Sequence, residues 1–157
     1  MTEFSARGSQ VLRRLPVGAR IVYAGFLVFL MVGLATTALL HADSMGLDAA
    51  AAYWRGDEAA MLYPKSYRQL LELTHFHLFT EPVIWLVVAH LYQLSGGRGW
   101  ITLGTLGAIS VQVALPWVVT YVSPAPAALL LPATALVVAG LGWMGVASLR
   151  ELAVTRS

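Results

Sequence analysis

The chain has 157 residues, of which 58% are hydrophobic and only 11% charged, with a net charge of +2 and no cysteine. A soluble domain carries about 25% charged residues, so this composition belongs to a membrane protein. The basic residues are spread along the chain, which excludes a nucleic-acid surface. The lack of cysteine excludes disulfides, thiolate metal sites, iron-sulfur clusters and covalently attached c-type haem.

Crossing the hydrocarbon core as helix takes about 20 predominantly apolar residues. Four such runs, at about 21–41, 66–94, 100–122 and 125–149, predict an all-α integral membrane four-helix bundle over 21–150. The first run follows a basic segment, 1–20, with Arg7, Arg13, Arg14 and Arg20. It is longer than the roughly 7–15 apolar residues of a signal peptide and lacks a small-x-small cleavage pattern, so it reads as a retained anchor.

The connection 42–65 is the longest, and short surface helices are expected in it. Leu47–Trp54 is alanine-rich, Gly56 interrupts it, and Asp57–Leu62 is expected to resume a turn before Tyr63-Pro64-Lys65 ends it. Tyr53, Trp54, Tyr63 and Tyr67 suit the headgroup level, where amphipathic rings are favoured. Spans two and three are joined by the tight turn Ser95-Gly-Gly-Arg-Gly99. Span three carries Gly104, Gly107, Ala108 and Ser110, and span four carries Gly140, Gly142 and Gly145, a pattern that predicts close packing of these two spans through small residues. Pro116 and Pro132 are expected to kink them.

With four spans, Arg7, Arg13, Arg14, Arg20, Arg98, Arg150 and Arg156 fall on one side and Arg55, Lys65 and Arg68 on the other. Cytoplasmic loops carry the excess of Lys and Arg, so both termini, including the tail 151–157, are expected in the cytoplasm, with the protein in a bacterial-type inner membrane.

Span two holds three of the four histidines. A helical residue turns by about 100°, which puts Thr74, His77, Glu81 and Trp85 along one face and Glu72, His75 and His90 near another. An ionisable residue inside a bilayer faces protein or water, has a partner and marks function. Glu81 with His77 is therefore the expected proton-handling pair, with Pro82 freeing a carbonyl beside it. His75 and His77 point to opposing faces and do not chelate one ion together. A site assembled across helices, from His41 with His75 or His77, is the expected place for haem b. His41, His75 and Glu72 form the corresponding copper or zinc set.

The spacing of His77 and His90 resembles that of the haem-bearing helices in membrane cytochromes b, and the four-span size is similar to the cytochrome b-type subunits that anchor oxidoreductases. The resemblance implies haem b held by histidines drawn from His41, His75, His77 and His90, and exchange of electrons with quinone. Spans three and four contain no histidine, so a second ligand for His90 has to come from another subunit or from Met144. No nucleophile beside a base, phosphate-cradling loop or zincin helix is present. The expectation is thus a membrane subunit of an electron-transfer system, at most one part of an oxidoreductase complex, with the lipid bilayer and a larger membrane or periplasmic redox partner as its surroundings. An accessory or assembly subunit, and an oligomeric metal or proton permeation element, are the alternatives.

Overall fold

The computed structural model describes residues 11–42 and 47–154, and side chains over 11–40 and 49–154. A 3₁₀ turn at Leu12–Arg14 leads into α1 (Val17–Ala42), followed by α2 (Leu47–Arg55), α3 (Tyr67–Leu94), α4 (Gly99–Tyr121), a 3₁₀ turn at Ala125–Leu129 and α5 (Leu130–Ala153). Among the described residues, three stretches are long and apolar enough to cross a membrane: 17–40, 99–121 and 125–153. The expected fourth, α3, spans about 42 Å at 1.5 Å per residue. Its length suffices, but Arg68, Glu72, Glu81 and its three histidines dilute its apolar content, so composition alone supports three spans and not four.

The bundle is built around α5, which packs against α1, α3 and α4. Val137, Leu141, Met144, Ser148 and Leu152 of this helix are buried. Its glycines do not form one seam with α4 as expected. A Cβ on Gly140 would stand 3.0 Å from Thr105 Cγ2 of α4, whereas one on Gly145 would stand 3.4 Å from Met31 Sδ of α1. Five residues turn a helix by about 140°, so Gly140 and Gly145 serve different neighbours. Gly104 and Gly107 of α4 face open space. Pro132 lies in the first turn of α5, where backbone N–H groups have no intrahelical acceptor, so it needs no kink.

Arginines close the helix ends. Arg20 donates to the carbonyl of Leu152 at the C-terminus of α5, through Nε at 2.9 Å and also through Nη2, and Arg13 makes a two-bond pair with Glu151 at 2.7 and 3.1 Å. At the other end of the bundle Arg55 Nη1 donates to Val119 O at 3.0 Å, on the last turn of α4. Both contacts place a cation at the negative pole of a helix and satisfy carbonyls that lack intrahelical donors.

Of the connection between α1 and α3, the helix over Leu47–Arg55 forms as expected. The second turn does not. Asp57 and Leu62 form an isolated antiparallel bridge, and Asp57 Oδ1 accepts from Ala59 N at 2.9 Å. Gly56 takes φ +81°, and a Cβ there would come within 2.7 Å of Leu62 O. The chain can therefore turn back only on a glycine. Ser66 then caps α3 by accepting from Gln69 N, while the Gln69 side chain accepts from Ser66 N, a reciprocal capping box. At the far end Gly96 at φ +83° and Gly97, packed under the Tyr92 ring, turn the chain into α4.

Candidate functional site between α3 and α4

The face of α3 that carries Thr74, His77, Glu81 and Trp85 is the one that docks on α4. Near its start Trp117 Nε1 donates to Thr74 Oγ1 at 2.7 Å. Three turns later Trp85 Nε1 donates to the carbonyl of Thr102 at 3.1 Å. These two contacts fix the antiparallel register and bracket both His77–Glu81 on α3 and Ser110–Gln112 on α4. Tyr67 and Tyr121 stack around Trp117, with ring centroids 5.7 and 6.0 Å from it, and form an aromatic collar at that end.

His77 Nδ1 and Glu81 Oε1 lie 2.8 Å apart. A side chain four residues further along a helix stands directly above, so the sequence itself dictates this pairing. The bond is satisfied in two proton arrangements. Either the imidazole N–H donates to the carboxylate, or the carboxylic acid donates to a bare imidazole nitrogen. Glu81 is the more buried partner, with its side chain 16% exposed against 38% for His77. Its second oxygen, Oε2, is buried and has no hydrogen-bond partner among the described residues, as is the amide oxygen of Gln112. A buried acceptor left open is costly, and such atoms mark places where a ligand, water or proton is taken up.

Beside the pair a cavity of about 300 Å³ opens between the two helices. His77, Thr74 and Pro82 line it from α3; Ser110, Ala114 and Trp117 line it from α4. Its walls are mostly apolar, with a few polar groups converging on it, which is the constitution of a small-molecule site. Pro82 cannot donate to the carbonyl of Leu78, and Leu78 also lines the cavity.

The remaining expected site residues do not join this cluster. His75 is exposed and rests against Phe79, with ring centroids 4.6 Å apart. Glu72 is exposed and bound to Arg68 Nε at 2.9 Å. His90 is exposed on the outer face of α3. Met144 is fully buried with its sulfur 4.0 Å from the Thr102 hydroxyl, whereas His90 is exposed. The side chain of His41 lies outside the described residues. Among the described residues no three His, Asp or Glu side chains converge as a metal-binding group.

Sequence reasoning missed the α4 wall. Trp117 supplies both the bond to Thr74 and the end of the cavity, and Gln112 supplies the second open oxygen. The readable signal is Gln112 itself, an amide in the middle of an apolar run that must find a partner across helices.

A family model described as a transmembrane helical domain (Aq_1264_TM) matches residues 44–157, which takes in α2 to α5 and with them the His77–Glu81 pair and the cavity. No curated protein and no solved structure matches the chain. The three apolar stretches and this match make the chain a multi-pass membrane protein in contact with lipid. By a match that covers most of its length, the chain belongs to this family of transmembrane helical domains.

Proposed function

We propose that the chain is an integral membrane subunit of an electron-transfer system, a four-span bundle with α3 as the fourth crossing helix, in which the His77–Glu81 pair exchanges a proton with a quinone headgroup held between α3 and α4. One observation carries this reading: a hydrogen-bonded imidazole and carboxylate within a bilayer-length helix, one carboxylate oxygen open, at the edge of an apolar cavity. Reducing a quinone carbonyl to a hydroxyl takes electrons from a redox partner and a proton from a nearby donor. The two-state bond between His77 and Glu81 supplies such a donor, and Glu81 reprotonates the imidazole. In this reading both termini are cytoplasmic, the membrane is a bacterial-type inner membrane, and the cavity lies in the outer half of the bundle.

The resemblance to cytochrome b-type subunits adds haem b, with copper or zinc as alternatives. If haem were bound by this chain, His77 would hold it through Nε2, which has no hydrogen bond among the described residues, with Glu81 orienting the ring through Nδ1; the proton for quinone would then come from Glu81, not from the imidazole. The described side chains do not provide a second imidazole facing it, which leaves His41 or a partner subunit. When bound, haem supplies one-electron transfer.

A second reading, an accessory or assembly subunit, is favoured by the outer face of α3. His75 and His90 are exposed there beside Phe76, Phe79 and Leu86. Polar residues at membrane depth are covered by protein and not by lipid.

The test is a titration of a short-chain quinone into the nanodisc-embedded protein, followed by tryptophan fluorescence. Trp117 lines the cavity, so saturable quenching is expected that Trp117→Phe removes and the double variant H77L/E81L weakens at least tenfold. Quenching that does not saturate, or that both variants leave unchanged, contradicts the quinone reading. An oxidised-minus-reduced visible spectrum of the same sample decides whether haem is present.

A further inference from the structure

At the end of the bundle away from the His77 cavity, α4, α5 and the turn between α3 and α4 enclose a groove of 910 Å³. Its rim carries Arg98 and Arg150, and its flanks Trp100 and Trp143, which are 68% and 60% exposed. The groove also contains one carboxylate, Glu151, but Arg13 binds both of its oxygens. Arg98 and Arg150 form no ion pair with a described residue, so the rim presents two unneutralised guanidiniums. Arg98 is also the residue before the first turn of α4, which has no side-chain cap and adds the positive pole of a helix.

Below the arginines the lining becomes apolar: Ile101, Gly104, Leu136, Ala139 and Gly140 form a trough that runs along the two helices. A Cβ on Gly104 would meet nothing within 4 Å, so the trough is open there. Exposed tryptophans of this kind sit at headgroup depth, and basic pockets between membrane helices hold anionic headgroups. We propose that this groove binds one anionic phospholipid, with its phosphate on Arg98 and Arg150 and an acyl chain in the trough past Gly104. A free phosphate ion would use the arginines and leave the trough empty. A zwitterionic lipid would bring a quaternary ammonium to an already doubly cationic rim. The same end carries Arg13, Arg14 and Arg20, so the site faces the leaflet toward which the chain's positive charge is biased.

The test is thermal unfolding of the detergent-purified protein with phosphatidylglycerol, with phosphatidylcholine of the same acyl chains, or with glycerol 3-phosphate. Saturating phosphatidylglycerol is expected to raise the midpoint by about 5 °C, and the other two to leave it unchanged. The double variant R98Q/R150Q removes the shift while keeping its lipid-free midpoint. Gly104→Leu, whose side chain enters open space, raises the lipid concentration needed at least tenfold. An equal shift with phosphatidylcholine, a shift with glycerol 3-phosphate alone, or a shift that survives R98Q/R150Q overturns the proposal. Should the variants fail to fold, native mass spectrometry of the wild-type protein in an equimolar mixture of the two lipids decides it: preferential retention of phosphatidylglycerol supports the site, and equal retention overturns it.

Discussion

Two helices of similar length, α3 and α5, divide the work of this protein between them. The α5 helix is uncharged until Arg150, is the element on which α1, α3 and α4 all pack, and buries Met144 and Ser148 completely. The α3 helix carries His75, His77, Glu81 and His90 along a stretch that otherwise reads as a membrane span, and its apolar content falls short for that reason. A helix whose residues are chosen for packing holds the others in place. In the four-span reading α3 holds ionisable residues at membrane depth, where such residues mark function more than stability.

The comparison breaks first at α5. Truncating Met144 to alanine leaves a cavity at the meeting point of three helices and is expected to destabilise by about 2–5 kcal/mol, seen as a fall in the thermal midpoint in detergent, with the His77 cavity untouched. On α3 the expected pattern is the reverse. Glu81→Leu alone strips His77 of its partner and costs about 1–3 kcal/mol, whereas H77L/E81L restores most of that loss, because an apolar pair of similar volume replaces a half-buried polar one at little net cost. Both variants are nevertheless expected to weaken quinone-dependent quenching at least tenfold. If the double variant is as unstable as the single one, the pair is a structural contact and the division between the helices fails.

Smaller effects sharpen the picture. Arg20→Gln removes the cation from the C-terminus of α5 and is expected to cost about 1 kcal/mol, measured by the same thermal scan. Glu72→Gln breaks only an exposed pair with Arg68, and a change below about 0.5 kcal/mol is expected. A larger loss there would mean that this face of α3 is covered in the working protein.

Much of the fold was legible because its signals are local. Gly56, the glycines at 96 and 97 and the long apolar runs each act over a few residues, and the helices begin and end close to where those signals stand. The face of α3 holding Thr74, His77, Glu81 and Trp85 was legible for the same reason, since helical periodicity alone aligns it. What escaped the sequence depends on which helix lies opposite which. Gly140 and Gly145 look alike in the chain, yet one faces Thr105 of α4 and the other Met31 of α1. The turn at Asp57–Leu62 was misread as helical because the hydrogen bonds from Ala59 and Ala60 to the Asp57 side chain compete with helix at short range. Trp117 and Gln112 were invisible as site residues until α4 was laid antiparallel on α3.

The most direct test of the central claim is an infrared difference spectrum, quinone-bound minus quinone-free, of the membrane-embedded protein and of Glu81→Gln. The account predicts a change in the protonated-carboxyl band on quinone binding that is absent in the variant, since Glu81 is the buried carboxyl beside the cavity. A wild-type spectrum without a carboxyl change, or one that Glu81→Gln reproduces, would contradict it.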